Sequence, residues 1–331
     1  MAKFILKRIL YLIPTILGVI LIVCILQELT PADPVEIHYA GMSEEFKDQK
    51  REELGLNDPL PVKYYNYVKD LVTKGSLGIS LTTDQPVLKE LMDRFPITVL
   101  LTIISIALGV LIGIPLGVIS AVKQYTAADS LILSVSMISI SFPNFWLALL
   151  LIILFSVNLG WLPSGGITSW TGWIMPVIVT TFSCLASFVR ITRSSMLEVI
   201  RQDFVRTAKA KGQKKNVIIV KHVLRNAWIP IITQIGGQIG ILLGGALIVE
   251  SIYGMPGIGQ YLVQAINNRN YTAVLGGVVL LAVVYSLINL AVDVMYTVVD
   301  PRLKLAMIGN SRSVKMKSIS MGSLAQGGSE K

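Results

Sequence analysis

Six stretches of this chain are apolar for about the length a helix needs to cross a bilayer, and that limits the fold more than any other feature. A crossing helix takes roughly 20 mostly apolar residues, because its backbone must satisfy its own polar groups where water is absent. The stretches are 9–26, 96–122, 130–157, 172–192, 230–249 and 272–298. Charged residues make up 15% of the chain, well below the ~25% usual in soluble domains. A disordered chain is excluded, and an ordinary soluble enzyme is disfavoured. The first stretch follows Lys3, Lys7 and Arg8, as a secretory signal would. Its length, and the lack of a small-x-small cleavage pattern before Glu28, make it a retained first helix. Pro96 falls in the first turn of the second stretch, where its missing N–H costs nothing.

The formal net charge is +9, and its distribution gives the topology. The N-terminus, the loops 123–129 and 190–226 and the tail after 301 together hold 20 of the 29 Lys and Arg residues. The opposite side holds the other nine. The positive-inside rule puts the richer side in the cytoplasm, with both termini there. The excess charge is thereby used in orientation and does not point to nucleic acid. The chain divides into 1–29 with the first span, an external region at 30–95, a core of spans at 96–301 and a cytoplasmic tail at 302–331. The expected class is an all-α polytopic membrane protein with six transmembrane helices and a small external region between the first two. In the external segment, 43–54 reads as a short helix ended by Gly55. The tail is rich in Ser, Gly and Lys without apolar period, and is expected to be disordered.

The loop 190–226 carries ten basic and two acidic residues. Topology and contact with anionic lipid would explain the charge but not the order of residues. Asp203 is placed to cap a helix over 204–211, and Gly212 to end it in the left-handed conformation. That helix carries Thr207, Ala208 and Ala210, small enough to let a partner's backbone come close. The segment reads as a docking element for a cytoplasmic protein.

Polar residues inside the spans are the other candidates. Pro143 interrupts the third stretch among Ser134, Ser136, Ser139, Ser141 and Asn144. Helix–helix hydrogen bonding accounts for such hydroxyls about as well as a polar path does; Ser141 and Asn144 are the residues favoured for a path. On the fifth stretch Gly236, Gly240 and Gly244 recur every fourth residue, flanked by Gln234 and Gln238. Ordinary close packing is favoured there, the sharper reading being a face that meets a partner chain and lines a pore with Gln238. Glu250, Pro256, Gly257 and Gly259 form an external turn. Asp293 lies about two turns from the end of the sixth span, where a structural ion pair with Arg190 or Arg193 is favoured over proton coupling. Cys24 and Cys184 lie in apolar runs and make no disulfide framework or metal cluster. His38 and His222 lie far apart in sequence and outside the apolar runs, which disfavours a metal or hydrolase site inside the membrane.

R-T-A-K-A-K-G at 206–212, followed by H-V-L-R-N-A-W-I-P at 222–230, resembles the EAA loop of binding-protein-dependent ABC importer permeases, in its dipeptide/oligopeptide/nickel variant. The similarity continues in order along nearly the whole chain: L-T-P-A-D-P at 29–34, E-L-G-L-N-D-P-L at 53–60, G-S-L-G-I-S at 75–80, R-F-P-I-T at 94–98, S-F-P-N-F-W at 141–146, G-W-L-P-S-G-G at 160–166, E-S-I-Y-G-M-P-G-I-G at 250–259 and D-P-R-L at 300–303. It looks like the B-type member of the paired permeases. The general pattern has Glu-Ala-Ala where this chain has Arg206-Thr207-Ala208.

The resemblance implies the type I ABC importer permease fold in a bacterial or archaeal cytoplasmic membrane. It implies a heterodimer with a second permease, two cytoplasmic ATPases and an extracellular or periplasmic solute-binding protein. Asp203, Arg206, Thr207, Ala208, Ala210 and Gly212, within a coupling loop at 193–230, would contact an ATPase. Ser141, Asn144 and Gln238 would line the path, and Glu250, Pro256, Gly257 and Gly259 would belong to the external gate. No Gly-Lys-Ser or Gly-Lys-Thr occurs in the chain, so ATP and Mg would be bound by the partner ATPases, with no cofactor and no enzymatic activity here. Short peptides are the expected solute, with nickel or other metal chelates, glutathione and oligosaccharides open. An ion-coupled secondary transporter, the less favoured alternative, would call for intramembrane charges near the midplane and inverted repeats; the chain offers one intramembrane acid, Asp293, near one end, and no clear repeat. An intramembrane enzyme would need a nucleophile with its base, and neither His38 nor His222 is placed for it.

Overall fold

A computed structural model describes residues 2–29 and 33–299, as helices joined by short loops. The D-P-R-L motif at 300–303 and the tail lie outside the described residues, as do 30–32. The first span is α1 (Ala2–Glu28). Three short helices follow: α2 (Pro34–His38), α3 (Glu44–Glu53) and α4 (Leu60–Lys74). Then come α5 (Val87–Val122), α6 (Ala127–Ser141), α7 (Asn144–Leu151) and α8 (Ile174–Ile200). After α8 stand two short helices, α9 (Asp203–Ala210) and α10 (Lys215–Val217). The chain continues through α11 (Arg225–Ile252), α12 (Ile258–Asn267) and α13 (Tyr271–Val299). Five helices or continuous helical runs are long and apolar enough to cross a membrane, and the bent pair α6–α7 makes a sixth.

Two of the expected spans are corrected. The second begins at Val87, so Pro96 lies well inside α5 and not in its first turn. Residues 87–95 are too polar to count toward an apolar run, yet Val87, Glu90 and Leu91 are buried there. Packing against α12 and α13 makes the extra turns worth forming. The third span is not one helix over 130–157. It breaks at Phe142-Pro143, and its halves meet at 96°. Phe142 takes an extended conformation, as the residue before a proline prefers, and Pro143 then starts α7. Before the break, Ser136, Ser139 and Ser141 donate to carbonyls one turn back in α6, which satisfies the hydroxyls and loosens the helix.

The centre of the molecule is the α5–α8 pair. Gly109, Gly113 and Gly117 of α5 leave no room for a Cβ against Cys184, Phe188 and Thr192 of α8. The two backbones approach as small-residue stripes in membranes allow. Phe188 and Cys184 are fully buried there with Ile106 and Leu242. On the outer surface, Leu111, Val135, Met137 and Ile153 are at least half exposed, as side chains facing lipid tails should be. At one end of the bundle, the segments at 33–86 lie over α1, α12 and α13, with Leu77 in the cluster that holds Ile20 and Leu262.

The helix expected at 43–54 is α3, capped by Ser43 Oγ, with Gly55 left-handed after it. It is tied to α2 by charge. Arg51 Nε donates to Asp33 Oδ2 at 2.7 Å, Arg51 to Glu36 Oε1 at 2.7 Å, and Lys47 Nζ to Glu36 Oε2 at 3.0 Å. Partial burial works to raise the pKa of Asp33, but the hydrogen bonds from Arg51 and the Val35 N–H outweigh it and hold the carboxyl below its ordinary value. The Lys47 and Arg51 hydrogen bonds lower Glu36 likewise. Both groups are depressed on folding, so their contribution is complete above the unfolded values near ~4 and is lost as pH falls through the folded ones. Hydrogen-exchange protection of α2 and α3 should be flat from pH 7 to about 5 and fall below about 4; protection that rises on acidification would contradict this.

Candidate functional site

The loop after α8 builds a short helix on a firm apolar seat. Val205 and Ala208 of α9 are buried, and they pack with Ile114 and Ala121 of α5, Met196 and Val199 of α8, and Ile218, Val223, Ala227 and Ile231 beyond. The remaining side chains of α9 point outward: Asp203, Phe204, Arg206, Thr207, Lys209 and Ala210 are exposed. Alternation of buried and exposed positions three apart is what a surface helix with one anchored face requires. Gly212 stands at φ +73°, the left-handed position that ends the helix and turns the chain toward α10.

Two expectations about this helix change. Asp203 is not its cap. Gln202 holds that position, without a side-chain bond, and Asp203 is the first helical residue, 3.6 Å from Arg206. Its negative charge still lies at the favourable end of the helix dipole. Ala208 is not on the open face. Its small side chain lets α9 settle on this chain's own core, so the open face of the helix is made by Arg206, Thr207, Ala210 and their exposed neighbours.

A buried ion pair holds the elements beneath this seat. Arg193 of α8 grips Asp129 of α6 with two parallel bonds of 2.8 Å. Ser120 Oγ of α5 and the Tyr125 N–H also donate to Asp129, whose side chain is 4% exposed. Four elements thus meet at one carboxylate. Sequence reading missed it, although T-A-A-D at 126–129 is a helix-start pattern: Thr126 caps α6 and Asp129 reaches back to the turn. The expected pairing of Asp293 with Arg190 or Arg193 is therefore corrected. Asp293 pairs with Arg8 of α1 at 2.9 Å, Arg193 is committed to Asp129, and Arg190 is exposed. The sequence places Asp293 near the right end of its helix but cannot say which helix lies beside it.

From this seat α11 runs to the opposite end of the bundle. The glycine face read as a possible partner contact turns inward: Gly236 lies against Val292 and Gly240 against Tyr285, both of α13. Gln238 is buried within this chain. Gly244 alone of the three has open space beside it. The packing reading is the correct one for Gly236 and Gly240. Of the residues expected on a path, Ser141 donates to the Met137 carbonyl at 3.0 Å, and Asn144 Oδ1 accepts from Ser183 of α8 at 2.7 Å. Asn144 thereby fixes the start of α7 on α8.

At its far end α11 closes into a knot. Glu250 is fully buried, and its Oε2 accepts the N–H of Gly259 at 2.7 Å and of Gln260 at 3.2 Å, capping α12. Thr98 Oγ1 of α5 accepts the Ile258 N–H at 2.9 Å. A Cβ at Gly257 would strike the Glu250 carboxylate, and one at Gly259 the backbone of Leu247. Pro256 is exposed on this loop. Tyr253 donates to the Ala148 carbonyl at 3.1 Å, and its own carbonyl accepts from Gly166 N at 2.7 Å. The turn predicted at 250–259 is thus a packed junction of α5, α7, α11, α12 and the 160–166 loop. Glu250→Ala leaves one buried donor, the Gly259 N–H, and one part-buried donor, the Gln260 N–H, unpaired, with an expected loss of about 1–3 kcal/mol. Glu250→Gln keeps an acceptor oxygen for them and should lose less. Thermal unfolding of the purified protein checks the order; equal midpoints for both variants would refute the cap.

One long bundle with a short helix seated on its α5–α8–α11 end is the frame of a transport permease, and sequence comparison agrees. Residues 113–305 match the family described as "Binding-protein-dependent transport system inner membrane component". Residues 1–102 match its companion, "Binding-prot-dependent transport system membrane comp, N-term". The chain belongs to this family of ABC importer permeases. It is similar to the dipeptide transport system permease protein DppB of Alkalihalophilus pseudofirmus, at 38% identity over 92% of this chain and 100% of that protein. It is similar also to the glutathione transport system permease protein GsiC of Salmonella typhimurium, at 39% over 92% of this chain and 99% of that one. Among solved structures, an inward-facing form of the MetNI methionine ABC transporter matches with a TM-score of 0.56 and 22% identity, over 64% of this chain and 96% of that chain. That likeness is of fold: a type I ABC importer permease.

Proposed function

We propose that this chain is one of two permease subunits in an ATP-driven importer of short peptides, and that α9 is the element gripped by a cytoplasmic ATPase. The observation that carries the coupling role is the form of α9, two buried anchors beneath an outward face of Arg206, Thr207, Lys209 and Ala210, on the side richest in Lys and Arg. ATP and Mg belong to two partner ATPases, since the chain has no phosphate-binding Gly-Lys-Ser/Thr sequence. A second permease completes the path, and a solute-binding protein delivers the solute to the end that carries α2–α4. The membrane is the cytoplasmic one, with both termini inside by the charge distribution. Closure of the ATPases moves α9 as a rigid body and with it the α5–α8–α11 end of the bundle.

The peptide reading rests on the likeness to the dipeptide permease. The likeness to glutathione permeases supports a second solute of the same kind, a short anionic peptide. The test is uptake into proteoliposomes that hold this chain, its partner permease and the ATPases. Labelled dipeptide or glutathione should accumulate only with ATP inside and the binding protein outside. Accumulation driven by an ion gradient without ATP would overturn the assignment.

A further inference from the structure

The α9 end of α11 carries a pocket of about 780 Å³, lined by Lys221, His222, Arg225, Asn226, Trp228, Ile229 and Ile232. Its volume lies within the range of small-molecule sites, ~300–1,000 Å³. Trp228 packs at the edge of the α9 seat, but Lys221, Arg225, Ile229 and Ile232 take no part in it.

Local geometry makes this wall. Residues Ile218–Leu224 form a π-helix, wider than an α-helix, before α11 begins. Such segments are rare and are frequent at functional sites. Lys221 and Arg225 are four positions apart and fall on one face, and Trp228, Ile229 and Ile232 continue that face along α11. The side is graded, with cations at one end and apolar side chains at the other. Asn226 Nδ2 donates to the His222 carbonyl at 2.6 Å, and the His222 ring bonds Gln213 at 2.9 Å, so the polar end is held in shape. No acidic side chain lines the pocket. Lys221 and Arg225 are both exposed, and neither is in an ion pair among the described residues.

We propose that this pocket binds a small amphipathic anion, with its carboxylate or phosphate between Lys221 and Arg225 and its apolar part on Trp228, Ile229 and Ile232. Two sources supply that chemistry: an anionic phospholipid at the membrane surface, and a short peptide with a free C-terminal carboxylate on its way through. Guanidinium and ammonium groups hold either anion by charge-assisted hydrogen bonds. The assignment does not depend on which solute the importer carries.

The test uses the assembled importer and the variant Lys221→Gln/Arg225→Gln, whose changes fall at exposed positions on the segment that also supplies Ile218, Val223 and Ala227 to the α9 seat, so ATPase capture and the unfolding midpoint are measured alongside. In one arm, the complex is purified in detergent with phosphatidylglycerol and phosphatidylethanolamine, and retained lipid is read by native mass spectrometry. In the other, binding of a dipeptide with a free C-terminus is compared with its C-terminal amide. Loss of two charge-assisted contacts should weaken the favoured anion about tenfold or more, with the neutral or zwitterionic control unchanged. A selective loss of phosphatidylglycerol identifies the lipid, and a loss of preference for the free carboxylate identifies the peptide. Each supports the site. If the variant retains both preferences at wild-type strength, with an unchanged unfolding midpoint, the proposal is overturned. Because neither arm measures ATP-driven uptake, failure here is separable from failure of the importer assignment.

Discussion

Arg193→Ala should lower the unfolding free energy of the purified protein by about 3–5 kcal/mol, the usual effect of stripping one partner from a buried ion pair. The size follows from what is left behind. Asp129 is 4% exposed, and without the guanidinium it keeps only the Ser120 hydroxyl and the Tyr125 N–H. A carboxylate in that position has lost its counter-charge. The double variant Asp129→Ala/Arg193→Ala should therefore be more stable than Arg193→Ala alone, since no charge is stranded. Arg193→Lys should fall between, because an ammonium cannot make the two parallel bonds. Thermal unfolding of the wild type, Asp129→Ala, Arg193→Ala and the double variant completes a double-mutant cycle. A cost below about 0.5 kcal/mol for Arg193→Ala, the level of an ordinary surface change, would show that the pair does not join α6 to α8.

Ala208→Trp should disable the assembled importer through the seat of α9. An indole cannot fit where Ala208 meets the Ile218 and Val223 cluster, so α9 must tilt or lift. Overpacking of this kind costs about 1–3 kcal/mol, which shifts the equilibrium between seated and displaced α9 by about fivefold to 150-fold. ATP-driven uptake should fall, and binding-protein stimulation of ATP hydrolysis with it. Arg206→Glu is the companion. Its side chain is exposed, so it should leave thermal stability unchanged while weakening capture of the ATPase in a pull-down. If Ala208→Trp supports wild-type uptake, α9 does not transmit through its buried face.

Much of this molecule could be read from its sequence, for identifiable reasons. Long apolar runs have few ways to exist, so the span count and the order of elements were legible. The ends were less so, because residues 87–95 are polar and become helical only through packing against α12 and α13. Local chemistry was legible where it acts within a few residues: Gly55 follows the end of α3, and Gly212 ends α9. Contacts between distant elements were not. Asp293 with Arg8, Asp129 with Arg193, and Glu250 with Thr98 and α12 depend on which helices are neighbours, and periodicity along one helix does not carry that. Ala208 illustrates the same limit. A small residue permits close approach, but only the assembled bundle decides that the approaching surface is its own core.

The pairing of the first span with the last sets the order in which this protein can be completed. Ile20 and Cys24 of α1 pack with Ala273, Leu275 and Val279 of α13, and Arg8 meets Asp293. A ribosome adding ~5–20 residues per second needs roughly 15 to 60 s to pass from one to the other. Throughout that interval α1 lacks the α13 side chains it packs against in the finished bundle. Chains truncated before α13 should therefore be degraded faster than the full chain, which pulse-chase measurement would show.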